Sequence, residues 1–461
     1  MKKLIGTIFL ISLVMGCIQE EQKQTNTLPY GLELPEEVEF IGSYEMERES
    51  LGSSFVAFSE DFLITILEKN RIHVFDRTEG KKLLEYTCQG RITHFAFSSD
   101  KEYLAISTVN PNNILLLNKK GKKLWEYKLE DDEEYQVREI AISGNGSLVV
   151  AGLGAFESYM TRIYFIKNGK LIKNYTYPEL ETYLGVISTN YDGSYTVVGT
   201  GYLYSKINLF DKNGEILWEY KWKRRSKALF SNVTKAFISS DGNFGFAIYD
   251  STHGACFFNK DGVFYDYEAD PCPDIVASYG TEEGAIILNA KGTLLKVDKN
   301  GEISEHKIWE GKILVSDQHG VYGSGILING KCKKIERIKI SSDRDYIGVL
   351  TKDKQLIFFN KEGKILWKKI FRDLMDFCIA NNKVLIYKGF FEGDISVIDK
   401  NGTTIWDWSL RDNSKIIGST LFHARFYKIL YSSENNIFVT TKISKEDKAE
   451  LFFFKINDVL G

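Results

Sequence analysis

The stretch "LFDKNGEILWEYKW", Leu209 to Trp222, sets two apolar, aromatic-rich runs on either side of a polar Lys-Asn-Gly corner. β-Branched and aromatic residues flanking an Asn-Gly pair, which tolerates positive φ, read as two strands of a β-hairpin. Seven further copies follow the same plan: "FDRTEGKKLLEY" from Phe75, "LNKKGKKLWEY" from Leu117, "FIKNGKLIKNY" from Phe165, "FFNKDGVFYDY" from Phe257, "KVDKNGEISEH" from Lys296, "FFNKEGKILWK" from Phe358 and "VIDKNGTTIWD" from Val397. Their turn glycines, from Gly80 to Gly402, are spaced by 41, 48, 45, 48, 39, 62 and 39 residues. That interval is the length of a propeller blade or of a helical repeat.

A second module upstream of the hairpins separates the two. It reads "ITHFAFSSDKEYLAIST" from Ile92, "VREIAISGNGSLVVAG" from Val137, "GVISTNYDGSYTVVGT" from Gly185, "VTKAFISSDGNFGFAI" from Val233 and "IERIKISSDRDYIGVL" from Ile335. Each is an alternating strand, a Ser/Asp/Gly turn and a second strand. Outside the N-terminus no window has helical periodicity, which excludes helical solenoids. Four antiparallel strands per unit, repeated radially, predict an all-β chain folded as a single β-propeller of four-stranded blades. The eight hairpins predict eight blades; seven or nine also fit the spacing. "ELFFFKIN" from Glu450 is expected to pair with "EFIGSYEM" from Glu39, so that N- and C-terminal strands close the ring and leave no open edge. The 62-residue interval between Gly301 and Gly363 holds extra strand-like sequence, "KILVSDQHGVYGSGILI".

Trp125, Trp218, Trp367 and Trp406 recur at one place in the fourth strand, where they are expected to fill the space between blades. Net charge is −3, with 59 basic and 62 acidic residues, so no overall field favours nucleic acid. "KWKRRSK" from Lys221 reads as a solvated loop, and "EDDEE" from Glu130 lacks the spaced oxygens and turn glycine of a calcium loop. The chain has 6 prolines and 43% hydrophobic residues, which suits a packed core.

The N-terminus "MKKLIGTIFLISLVMGC" has two lysines, an apolar run from Leu4 to Met15 and then Gly16-Cys17. This is the order of a secretory signal, and the run is too short to span a membrane. "LVMGC" resembles the lipobox of prokaryotic lipoproteins, although Met15 is bulkier than the usual residue there. The resemblance implies cleavage before Cys17 and its lipidation. Residues 1–16 are then the signal peptide, 17–37 the lipidated cysteine with a polar tether, and 38–461 the propeller, held at the outer side of the cell membrane. Five cysteines remain: Cys88, Cys256, Cys272, Cys332 and Cys378. Cys256 and Cys272 flank one hairpin, and both a bridge between them and separate burial fit. No pair has zinc spacing.

The unit "SxDGxYxxVGT…LFDKNGEILWEYK" is similar to repeats of pyrroloquinoline-quinone-type and WD-like propellers of exported prokaryotic proteins. The likeness concerns fold. Quinoprotein dehydrogenases carry an adjacent cysteine pair, which this sequence lacks. Arylsulfotransferases need a nucleophilic histidine, and none of His73, His94, His253, His306, His319 and His423 sits in a recognisable site. The scaffold lipoproteins of the outer-membrane assembly machinery are the nearest functional analogue, by fold and anchoring. No catalytic residue, metal site or cofactor is therefore assigned. The favoured reading is a non-catalytic module binding a protein or small ligand; the alternative is an extracytoplasmic propeller enzyme, a quinoprotein-like oxidoreductase or a transferase. In either case the loops between second and third strands are the expected contact face. They are irregular and aromatic: "GAFESYM" with Phe156 and Tyr159, "GYLYS" with Tyr202 and Tyr204, "YDSTHG" with His253, and "GFFEGD" with Phe390 and Phe391. Covering the ends of neighbouring blades is the competing role for these aromatics.

Overall fold

The computed structural model describes residues 38–456 except 48–55, 59–62, 69, 77–81, 130–134, 156–159, 178–181, 203–205, 223–231, 250–253, 269–274, 290–291, 309–310, 316–321, 329–330, 342–344, 381, 389–393, 409–429, 433–436 and 444–447. Among these residues every regular element is a strand. Eight four-stranded antiparallel sheets form the blades of a β-propeller, and one six-stranded sheet joins them. In chain order the first six sheets span 56–87, 91–128, 135–176, 182–221, 233–268 and 275–307. The seventh, six-stranded, spans 311–370 and the eighth 374–408. The eight regular blades match the number expected, and the irregular sheet brings the sheets to nine, the upper end of the expected range. Its two additional strands, Gly311–Val315 and Tyr322–Ile328, come from the long interval before Gly363.

The ring closes through the pairing expected of the two chain ends. Strand Val38–Glu47 pairs antiparallel with Lys448–Ile456, with Glu39 opposite Lys455 and Glu45 opposite Glu450. It is the outermost strand of a ninth sheet whose inner strand is Leu430–Ser432. That inner strand touches the first strands of both the eighth and the first sheets.

Second and third strands are buried on both faces because each sheet is stacked between two others. Asn113–Asn118, Lys206–Asp211 and Gly254–Asn259 are buried except for their last residue. One core cluster joins Val197 and Leu209 of the fourth sheet to Ala247 and Phe258 of the fifth, and equivalent clusters bridge other junctions. Fourth strands face solvent at the perimeter.

The recurring hairpin is the outer half of a blade, and its residues serve one turn and one bulge. In "DKNGE" the Asp211 carboxylate accepts the Asn213 and Glu215 backbone N–H groups at 2.8 and 2.9 Å. Asp298 and Asp399 do the same in their turns. Gly214 carries φ +77°, the left-handed residue that closes a type I turn. Among the described residues, positive φ at both Asn and Gly occurs only in the tighter Asn168-Gly169 corner, with 51° and 72°. Beyond the turn, register slips by one residue, leaving Leu83, Leu124, Ile172, Leu217 and Phe264 unpaired and outward-facing. The slip sets Trp125, Trp218, Trp367 and Trp406 opposite Leu116, Leu209, Phe358 and Val397. Each tryptophan therefore holds the equivalent place, but to different depths: Trp367 and Trp406 are buried, Trp125 and Trp218 half-buried.

Candidate binding face

A four-stranded meander puts first-to-second and third-to-fourth turns on one face of the ring, and the remaining connections on the other. The turn face is regular and internally bonded. Asp100 N–H donates to the Gly144 carbonyl at 3.2 Å, Asn145 N–H to the Tyr191 carbonyl at 2.9 Å, and Asn190 Nδ2 to the Ser240 carbonyl at 3.3 Å. Ser240 then donates to Glu282 from its backbone N–H and its hydroxyl. These bonds link the inner turns of the second to the sixth sheets in an arc.

On the loop face, Phe156, Tyr159, Tyr204, His253, Phe390 and Phe391 lie outside the described residues, as do Cys17 and Cys272. Tyr202 ends strand Tyr195–Tyr202. What the structure describes is the base on which each loop stands. Under 203–205, Lys206 is 3% exposed; its ammonium lies 3.4 Å from Glu219 Oε2 and 4.9 Å from the centre of the Tyr177 ring. The Tyr177 hydroxyl donates to Asn208 Oδ1 at 3.0 Å, and Asn208 Nδ2 donates to Glu219 at 3.1 Å. Burial alone pushes the Glu219 carboxyl up, but hydrogen bonds from Asn208 and Lys221 and the Lys206 charge hold it below its usual range.

Under 250–253, Asp266 accepts from the Tyr220 hydroxyl at 2.6 Å, Trp222 Nε1 at 3.3 Å and the Tyr249 hydroxyl at 3.5 Å. The Trp222 and Tyr249 rings lie 4.2 Å apart. Before 389–393, Lys388 reaches Asp407 at 3.1 Å. After 156–159, Thr161 is buried and the Arg162 guanidinium lies 3.9 Å from the Tyr135 ring centre.

These bases share a feature that the hairpin copies carried without being read. "LLEY", "LWEY", "FYDY" and "IWDW" hold an acid between apolar residues, and that acid turns to a polar partner on the third strand or a neighbouring sheet. Glu85 faces buried His73 at 3.8 Å, Glu126 accepts from Asn113 at 2.6 Å, and Asp407 accepts from Ser396. A carboxylate so paired supports structure. His94 lies in strand Arg91–Phe97 with Nδ1 buried and unpartnered among the described residues, and burial lowers its pKa. His306 is exposed in a fourth strand.

Cys88 and Cys256 are buried, and burial pushes the Cys88 thiol up to about 12 and the Cys256 thiol well above its usual value. Thiols so held are poor nucleophiles. Among the described residues no group of three His, Cys, Asp or Glu side chains is placed to hold a metal ion.

No family model matches the sequence. No curated protein matches it either. Solved structures do match at the level of fold. BamB from Moraxella catarrhalis is 11% identical over 92% of this chain and 99% of its own, with a TM-score of 0.45. A eukaryotic initiation factor is 11% identical over 77% and 87%, with a TM-score of 0.49. The dihydro-heme d1 dehydrogenase NirN, in complex with DHE, is 11% identical over 80% and 78%, with a TM-score of 0.44.

Proposed function

We propose that this chain is a lipid-anchored propeller outside the cytoplasmic membrane that binds a protein or small ligand on its loop face without transforming it. Residues 1–16 direct export, Cys17 carries the lipid, residues 18–37 tether the ring, and the propeller from 38 onward is the binding module. The location rests on "LVMGC" and the charged, apolar and small-residue order before it. The observation carrying the binding role is the contrast between the faces. The turn face is built of short, hydrogen-bonded corners, while the loops opposite differ in length and sequence and connect strand ends held by pairs such as Lys206–Glu219 and Tyr220–Asp266. Variable loops on a rigid scaffold are the usual way a propeller acquires a specific partner.

The test is capture from solubilised membranes by the full chain. Tyr204→Ala with Phe391→Ala should abolish retention of whatever the wild type holds, with unchanged circular dichroism. Substitutions at the Asn213 and Asn401 corners should leave it intact. The reverse pattern refutes the assignment of the face.

A further inference from the structure

The sixth sheet departs from the hairpin rule. Lys296 pairs with Ser304 and Val297 with Ile303, with no bulge between them. Elsewhere the residue equivalent to Lys296 is Val74, Leu116, Phe165, Leu209, Phe257, Phe358 or Val397, all buried. Lys296 is exposed. The following junction differs as well. A Cβ on Gly169 would meet Trp125 at 3.0 Å and one on Gly402 would meet Trp367 at 3.1 Å, whereas Gly363 lies over the backbone of Ile308, beyond Ser304. A tryptophan thus packs on the next corner where the third and eighth sheets join their predecessors. Ser304 is too small to do so between the sixth and seventh.

A cleft of about 330 Å³ opens there, between the first-strand turns and the outer corners. Ile286 and Leu294 wall it from one sheet and Ile340 and Ile347 from the next. The lining carries Glu283, Asp298 and Asp345 against Lys296 and Lys361. Asp345 pairs with Lys361 at 2.9 Å and Glu283 with Lys299 at 2.8 Å, while Asp298 accepts the backbone N–H groups of Asn300 and Glu302. Among the described residues Lys296 makes no ion pair or side-chain hydrogen bond, yet it lines the cleft.

We propose that this cleft binds a small organic anion, its carboxylate on Lys296 Nζ and its aliphatic or aromatic body against the isoleucine and leucine walls. An apolar hollow near the lower end of ligand-site volumes, with a lysine that no side chain among the described residues engages, selects that chemistry. The site lies on the turn face and is independent of the loop-face reading above.

Isothermal titration of the full chain with 4-phenylbutyrate, 4-phenylbutylamine and acetyl-Ala-Ala-Phe tests it. Both carboxylates should bind at least tenfold more tightly than the amine, the loss expected when a charged hydrogen bond is removed. Tighter binding of the peptide assigns the anion to a protein C-terminus; tighter binding of phenylbutyrate assigns it to a free acid. Lys296→Met should weaken the carboxylates about tenfold. Lys296→Leu with Ser304→Trp, which gives this junction the residues Leu209 and Trp218 hold in the fourth sheet, should abolish binding. Equal affinity for acid and amine, no binding of either carboxylate, or wild-type binding by Lys296→Met overturns the proposal.

Discussion

Replacing two of the repeated tryptophans by phenylalanine should give different results, because among the described residues the indole N–H has an acceptor at one position and none at the other. Trp218 is half-buried, sits edge-on to Phe258 at 5.5 Å, and donates to the Lys260 carbonyl across the blade junction at 3.2 Å. Trp367 is 8% exposed and stacks on Phe358 at 5.2 Å, but its buried Nε1 meets no acceptor among the described residues. Truncating Trp367 to alanine should cost about 3–5 kcal/mol, as for a large buried side chain, and Trp218→Ala less. In Trp367→Phe, the lost apolar area costs roughly 1–2 kcal/mol. Removal of an unsatisfied buried donor returns about 1–3 kcal/mol. The net change is about zero. Trp218→Phe loses a hydrogen bond with no such return, about 0.5–1.5 kcal/mol, plus part of the area term. Urea denaturation followed by far-UV circular dichroism, compared at unchanged m-value, measures both. If Trp367→Phe is destabilised as much as Trp218→Phe, the reasoning about the orphan donor fails.

Cys17→Ser should move the full chain from the detergent phase to the aqueous phase on phase separation; unchanged partitioning would remove the anchor from the proposal. Glu139 follows a bulge on the first strand of the third sheet, and burial raises its carboxyl from 4.5 to about 7, opposed only by a hydrogen bond from the Ile140 backbone. The native chain then holds this proton more tightly than the unfolded chain, so stability falls as pH rises from 4.5 to about 7. Glu139→Gln should match the wild type near pH 4 and exceed it at pH 8 by up to about 3 kcal/mol, read from melts at both values.

The blade plan was legible because its signals are local. A turn such as Asp211–Glu215 closes on its own side chain, and the strand-like stretches "EFIGSYEM" and "ELFFFKIN" were enough to pair the two chain ends, in the register that sets Glu39 opposite Lys455. The polar bases of the loop face were not legible. Lys206 reads as a solvent-facing strand residue until Glu219, cross-strand from its neighbour Asn208, and Tyr177 from the preceding sheet surround it. Asp266 likewise needs Tyr220 and Trp222 from another sheet to show its role. Lys296 and Ser304 stood in plain view in "KVDKNGEISEH". Their meaning depends on register, since only the direct pairing without a bulge shows that both replace apolar residues facing the next blade.

The closing pair also fixes the face on which the first described strand begins. Val38–Glu47 is the outermost strand of the ninth sheet and runs antiparallel to Lys448–Ile456, as a fourth strand does, so Val38 starts on the turn face. If Cys17 is the anchor, the 20 residues 18–37 connect membrane to turn face. Fully extended they reach roughly 70 Å, and as a flexible coil about 25 Å. The loop face then points away from the bilayer, free for a partner, while a shorter tether would draw the corners toward the headgroups. Deleting residues 20–34 from vesicle-bound protein should therefore slow acylation of Lys212, Lys299 and Lys400, which are exposed at the corners. Lys128, Lys221 and Lys307, at the loop-face ends of fourth strands, should react as before. Protection of the second group instead of the first, read by mass spectrometry, would show that the ring stands the other way up.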